Sequence, residues 1–245
     1  MKGFILAAGM GSRLKPWTDH HPKAMAPVAG VPMLQRVVEK MYQSGISDIT
    51  VNVYHFADQI IDFIKSKGWN IKISDERPRL LETGGAILHA AKQLEGDEAI
   101  LVHNADILSN AEFGELENAF TDSRADAALL VSPRESSRKL VFDSRMELKG
   151  WHSLKTDSLR PVDFKPSKED QEFAFSGIYV LSPLLPEKIK KQGYEGKFSI
   201  MDYLLETLGV NKYTGILKNN LRLIDIGKPE TLEIANELLK TRLRI

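Results

Sequence analysis

At 245 residues the chain is long enough to bury a sizeable core as one domain, and its 33 lysines and arginines balance 33 aspartates and glutamates. A neutral chain carries no electrostatic footprint for nucleic acid or an anionic membrane surface. Cysteine is absent, which excludes disulfide frameworks and thiolate metal sites, and no stretch is apolar and long enough to span a bilayer. Met1-Lys2-Gly3 enters an apolar run directly, so no signal peptide is expected and a cytoplasmic protein is.

Phe4 to Ala8 reads as a short buried strand bounded by glycine. It opens into Gly9-Met10-Gly11-Ser12-Arg13 and a polar loop closed by Pro22-Lys23. Gly9 and Gly11 let backbone N–H groups approach an anion with no Cβ in the way. Arg13 and Lys23 add a planar fork and a point charge, two ways of holding phosphate oxygens. The dinucleotide fingerprint is excluded, because Leu14 stands where its third glycine belongs. The G-x-x-x-x-G-K-[ST] phosphate loop is absent as well.

Beyond the loop, Val31-Pro32-Met33 opens a predicted helix that Gly45 ends, with Met33, Leu34, Val37, Val38 and Met41 at helical spacing. Asp48–Tyr54 is a predicted strand, a helix follows to about Lys67, and Asn70–Ser74 is another strand. Strands alternating with helices imply parallel pairing and helices on both faces of a sheet. Thr83 is placed to cap a helix beginning near Gly84, and Gly84-Gly85 would let a ligand lie flat on the backbone. Glu98–His103 is a buried strand that runs into Asn104-Ala105-Asp106. A carboxylate just past such a strand end sits where open α/β sheets bind ligands. Asp106 either caps the following turn or holds Mg²⁺.

Phe113–Phe120 is predicted helical and Asp126–Ser132 extended. Leu140–Trp151 forms a hairpin turning at Asp143-Ser144-Arg145, and Asp163–Gln171 is a polar surface loop or lid. Phe173–Leu181 is a strand with Gly177 inside it, which implies close approach of another group. Ser199 caps a helix to Leu208, and Leu221–Gly227 is a late strand before a helix opened by Lys228-Pro229-Glu230. Asp202, in the first turn of its helix, and the histidines at 20, 21, 55, 89 and 103 are read as structural or solvated, and Trp17 either covers a nucleotide or anchors the loop.

The segment from Leu6 to Lys23 resembles the signature of the sugar-1-phosphate nucleotidyltransferases, L-A-x-G-x-G-x-R-[LM]-x-P followed by Pro-Lys. Glu82-Thr83-Gly84-Gly85, Phe173–Tyr179 and Asp225-Ile226-Gly227 with Pro229 are similar to further motifs of that family, so the resemblance spans almost the whole chain. It implies an α/β fold, a Rossmann-like three-layer sandwich with a mostly parallel central sheet and a small β-rich sugar-binding subregion, in a single domain over 1–245. It implies a Mg²⁺-dependent enzyme that joins an NTP to a sugar 1-phosphate and releases pyrophosphate. Arg13 and Lys23 would be catalytic, and Ala8, Gly9, Gly11, Gly85 and Asn104 would join them in binding nucleotide. Glu82, Lys165 and Gly177 would contact the sugar, and Asp106 and Asp225 the metal. Phe164 stands where the family has an acid before that lysine, and Leu223 replaces its tryptophan.

Within the family the pattern is most similar to the short uridylyltransferases acting on N-acetylmuramate 1-phosphate in cell-wall recycling. Guanylyltransferases for mannose or heptose 1-phosphate are the alternative. The resemblance further implies a monomer or small homo-oligomer, with no acyltransferase domain after the last helix. Two other classes are open: a non-catalytic nucleotide-sugar sensor, which Lys23, Asp106 and Asp225 argue against, and a glycosyltransferase, whose D-x-D pair is missing.

Overall fold

The sheet grows outward from Lys2–Leu6, which lies between Ile49–Val53 and Ile100–Asn104, with Ile71–Asp75 beyond Ile49–Val53. These four strands run parallel, in the computed structural model that describes residues 1–240; residues 241–245 of the expected 1–245 domain lie outside the described residues. Every residue of Ile49–Val53 is buried, as expected where helices cover both faces.

Alternation along the strands sorts side chains into two apolar layers. Ile5, Leu101 and Val51 pack under helices Met33–Gln43, Ala57–Ser66 and Phe113–Ser123. Phe4, Ile100 and Val102 face the opposite way, onto Glu82–His89, Leu185–Lys191 and Ile200–Glu206. The result is the expected three-layer α/β sandwich.

Gln171–Leu181 pairs antiparallel with Ile100–Asn104 along one edge and with Ala127–Ser132 along the other. Tyr213–Leu217 lies parallel to Ala127–Ser132. In direction, then, Gln171–Leu181 is the strand that opposes an otherwise parallel central set. Its first residues reach past that set and pair with Arg138–Phe142, which continues antiparallel into Leu148–Ser153 and Ser158–Arg160. This is the small β-rich subregion. The hairpin turn is held by Asp143 Oδ1, which accepts from Arg145 N at 3.0 Å and Glu147 N at 2.9 Å.

Two expectations change. The late strand is only Leu223–Asp225, and it pairs antiparallel with Ile107–Ser109 in a separate ladder instead of joining the main sheet. Thr83 does not cap its own helix; its Oγ1 accepts from Ile200 N at 2.9 Å, at the start of another helix, while Ser199 Oγ accepts from Met201 N at 3.2 Å as expected. Among the described residues no helix is long and apolar enough to cross a membrane.

His103 is structural. It is fully buried, its Nδ1–H donates to the Asn104 carbonyl at 2.8 Å, and its ring meets Phe113 edge-on. Burial, reinforced by Lys40, holds the imidazole pKa down to about 4. Between pH 6.5 and 4 the unfolded chain therefore takes up a proton that the native state refuses, and stability falls as pH falls. Denaturant unfolding at several pH values should show a contribution of about 3 kcal/mol lost across that window. His103→Leu should flatten that part of the curve; an unchanged slope would refute a neutral buried imidazole.

Candidate active site

The carboxyl ends of Lys2–Leu6, Ile49–Val53, Ile71–Asp75 and Ile100–Asn104 open onto a cleft of about 510 Å³. Such an edge is where open α/β sheets place ligands. Leu6 to Arg13 form one wall, Asn104 to Asp106 the floor, and Leu80, Glu82 and Thr83 a second wall.

The loop is a chain of short turns, Ser12–Leu14, Trp17–Asp19 and Lys23–Met25. Gly11 has φ +62°, and a Cβ there would stand 2.7 Å from Thr18 Cγ2 and 2.9 Å from Lys23 Cβ. Glycine is required by conformation and by space. A Cβ on Gly9 would meet nothing within 4 Å, so its backbone faces open volume. Leu14 and Trp17 pack with Ala26, Val28, Met33 and Ile226, which makes Trp17 an anchor of the loop.

Lys23 is the hub. Its Nζ contacts Asp106 Oδ2 and lies 3.8 Å from Asp225 Oδ1, while Arg13 Nη2 lies 3.9 Å from Asp225 Oδ2. Asp106 follows the strand Ile100–Asn104 directly. Asp225 arrives through the small ladder, opposite Ile107, and Ile226 N donates to the Asp106 carbonyl at 3.0 Å. Gly227 completes the corner, its N–H donating to Asp225 Oδ1 at 2.8 Å. A Cβ on Gly227 would stand 2.9 Å from Arg13 Nη2 and 3.0 Å from Lys23 Nζ, so a larger residue would push into the cations. Two carboxylates served by one ammonium mark a place where positive charge is held. Among the described residues no group of three or more His, Asp or Glu side chains could form a closed metal site. The donor set suits a hard cation that takes its remaining ligands from water or phosphate oxygens.

Of the residues predicted to bind nucleotide, Ala8, Gly9, Gly11, Arg13, Lys23 and Asn104 line this cleft. Gly85 does not. It is buried, its Cβ would stand 2.1 Å from the Gly196 carbonyl oxygen, and the N–H groups of Gly84 and Gly85 donate to the Phe198 carbonyl at 3.0 and 3.2 Å. The glycine pair admits this protein's own 196–198 segment, to which both of its N–H groups are committed. Glu82 lines the cleft with φ +60°, an uncommon conformation for a residue with a side chain, and its carboxylate lies 3.3 Å from Lys197 Nζ. Gly177, φ +76°, sits at a bulge between Phe175 and Tyr179, where a Cβ would stand 2.7 Å from Asn104 Nδ2. It makes room for Asn104 without lining the cleft itself. Lys165 is exposed on its loop and is not part of the lining.

Sequence reasoning passed over Asn52 and Glu76. Both line the cleft, and both are 3 % exposed. Ala7 N donates to Asn52 Oδ1 at 2.6 Å, Asn52 Nδ2 donates to Glu76 Oε1 at 2.6 Å, and Leu81 N donates to Glu76 Oε2 at 2.8 Å. This relay ties the start of the phosphate-side loop to the start of helix Glu82–His89. Burial pushes the Glu76 pKa up, against the two donors that favour its ionised form. The available signal was an amide inside a β-branched strand, and a carboxylate one residue past the end of the next strand.

An edge-of-sheet cleft with a glycine loop, two basic residues and two facing carboxylates defines a nucleotide-handling α/β protein. The chain belongs to the nucleotidyl transferase family, which matches residues 2–242. It is 29% identical over 236 residues to N-acetylmuramate alpha-1-phosphate uridylyltransferase of Caulobacter vibrioides, covering 92% of this chain and 91% of that protein. Mannose-1-phosphate guanyltransferase of Yarrowia lipolytica is 27% identical over 205 residues; the match covers 79% of this chain and 54% of that protein, about half its length. Among solved structures, HddC from Yersinia pseudotuberculosis complexed with GMP-PN superimposes with a TM-score of 0.76 at 24% identity, over 97% of this chain and 99% of that one, a likeness of fold.

Glu76 accepts from two donors, so Glu76→Gln leaves one of them facing an NH₂ group. Stranding a buried donor costs about 1–3 kcal/mol. Thermal unfolding should fall by several degrees, about 2–4 °C per kcal/mol at this size, and nucleotide titration should show weaker binding. Wild-type values in both measurements would mean that the relay does not shape the cleft.

Proposed function

We propose that this chain transfers a nucleotidyl group from an NTP to a sugar 1-phosphate and releases pyrophosphate, with UTP and N-acetylmuramate 1-phosphate as its substrates in the cytoplasm. The observation that carries the reaction class is the meeting of Lys23, Asp106 and Asp225 at the mouth of the Gly9–Gly11 loop. Similarity to the Caulobacter enzyme over nearly the full length of both chains supports the substrate pair.

A phosphate oxygen of the sugar 1-phosphate attacks the α-phosphorus in line, a P–O bond forms, and the bond to the bridging oxygen breaks. Pyrophosphate leaves with that electron pair. The nucleophile is already anionic, so the protein has no proton to remove and acts through positioning and charge. Backbone N–H groups of the glycine loop hold triphosphate oxygens, and Lys23 neutralises phosphate charge from a position fixed by its carboxylate partners. Arg13, more exposed at the rim, opposes charge developing on pyrophosphate. Asp106 and Asp225 would hold Mg²⁺, which when bound supplies further neutralisation of the phosphates. Likeness to the Yarrowia guanyltransferase supports GTP with mannose 1-phosphate as the second reading.

A matrix of NTPs against sugar 1-phosphates, read by pyrophosphate release with Mg²⁺, should give the highest rate with UTP and N-acetylmuramate 1-phosphate. A best rate with GTP and mannose 1-phosphate selects the second reading, and nucleotide binding without turnover of any pair points to a sensor.

Asp106→Asn and Asp225→Asn should each lower turnover by about 10²–10³-fold, the scale of a lost electrostatic contact. Residues sharing one ion act as a unit, so the double variant should be little worse than either single one. Added Mg²⁺ should partly restore the single variants. Small additive losses that Mg²⁺ does not change would separate the two carboxylates.

A further inference from the structure

The proposed reaction gathers two phosphorylated molecules, yet Arg13 and Lys23 both come from the loop after Lys2–Leu6. Along the sheet edge the order continues through Ile100–Asn104, which delivers Asp106, then the reversed strand Gln171–Leu181, then Ala127–Ser132. Ala127–Ser132 runs in the same sense as Ile100–Asn104, because both pair antiparallel with the strand between them. Its carboxyl end therefore opens on the same edge as the cleft, and Pro133 and Arg134 follow immediately.

Arg134 turns back over the intervening strand. Its Nη2 donates to the Phe175 carbonyl at 2.7 Å, beside the bulge at Gly177 that accommodates Asn104 of the cleft floor. Its Nη1 donates to the Glu135 carbonyl at 3.3 Å. Both acceptors are neutral backbone groups. Nε is buried with no hydrogen-bond partner among the described residues, none of which places a carboxylate in ion-pair distance of this guanidinium. Burial works against its charge, and the field of Asp225 offsets part of that cost. A half-buried cation with unused donors, held in place by backbone beside the strand that borders Asn104, is an incomplete anion site.

We propose that Arg134 binds the phosphate of the sugar 1-phosphate, on the side of Asp106 away from the triphosphate loop. This rests on the reaction argued above. Charge is then supplied from both flanks: Arg13 and Lys23 toward the donor nucleotide, Arg134 toward the attacking phosphate. The guanidinium fork suits a phosphate that must be aimed as well as neutralised.

Steady-state kinetics of wild type, Arg134→Gln and Arg134→Lys, varying one substrate at a time, tests this alongside thermal unfolding. Arg134→Gln should raise the KM for sugar 1-phosphate by roughly ten- to hundred-fold, the scale of a charge-assisted hydrogen bond, and leave the KM for NTP within about twofold. Arg134→Lys should recover part of the loss, since it keeps the charge without the fork. An unchanged KM for sugar 1-phosphate, or equal rises in both KM values with a lowered unfolding temperature, would reduce Arg134 to a brace for the Phe175 and Glu135 carbonyls. If wild type turns over no substrate pair, the reaction itself has failed, and calorimetric titration with N-acetylmuramate 1-phosphate and mannose 1-phosphate decides separately on Arg134. Weaker binding to Arg134→Gln than to wild type supports the anion site; equal binding, or no binding to wild type, overturns it.

Discussion

The arrangement of the cleft depends on one ammonium shared by two carboxylates. Asp106 and Asp225 would repel each other at this spacing, and Lys23, whose side chain is only 13% exposed, makes their approach favourable. Partial burial strengthens that attraction and raises the cost of losing any partner. The backbone reinforces it, since Ile226 N donates to the Asp106 carbonyl and the ladder Leu223–Asp225 with Ile107–Ser109 fixes the two acids in register. Leu14 and Trp17 of the loop then share an apolar cluster with Ile226 and with Ala235 of helix Pro229–Lys240. Loop, ladder and last helix are therefore one packed unit around the charges.

What could be read from the sequence was whatever lies contiguous in it. Period-two and period-3.6 patterns marked most strands and helices of the sandwich to within a few residues, but helix Leu185–Lys191 and strand Tyr213–Leu217 went unmarked. The glycine loop, with Arg13 and the Pro-Lys at its end, declared itself because all its parts fall within one short segment. Asp106 was legible from its place after a buried strand. Asp225 was anticipated only through its likeness to a family motif, and what brings it to Asp106 is a short antiparallel ladder that no pattern announced.

The misreadings share a physical cause. Thr83 and the Gly84-Gly85 pair look like a cap and a ligand platform until the segment carrying Gly196, Phe198 and Ile200 is brought against them, and Thr83 and Ile200 stand 117 positions apart. Asn52 and Glu76 acquire meaning only when Leu6 pairs with Asn52 and Asn52 with Ser74, a register that no single strand encodes. Arg134 is one arginine among many until the fold sets it beside Phe175. Periodicity reports which face a residue occupies, and it is silent about what stands opposite.

Gln171–Leu181 is built into two structures at once. Its later residues are clamped between Ile100–Asn104 and Ala127–Ser132, and its first residues carry the outer hairpins. Sliding the hairpins along this strand would break its ladder with Arg138–Phe142, while the pairing with Ala127–Ser132 is already interrupted between Phe175 and Tyr179. The strand thus couples the outer hairpins to the floor of the cleft. The one interruption in its pairing with Ala127–Ser132 falls around Gly177, directly against Asn104, so a side chain there would transmit its bulk straight into the cleft floor.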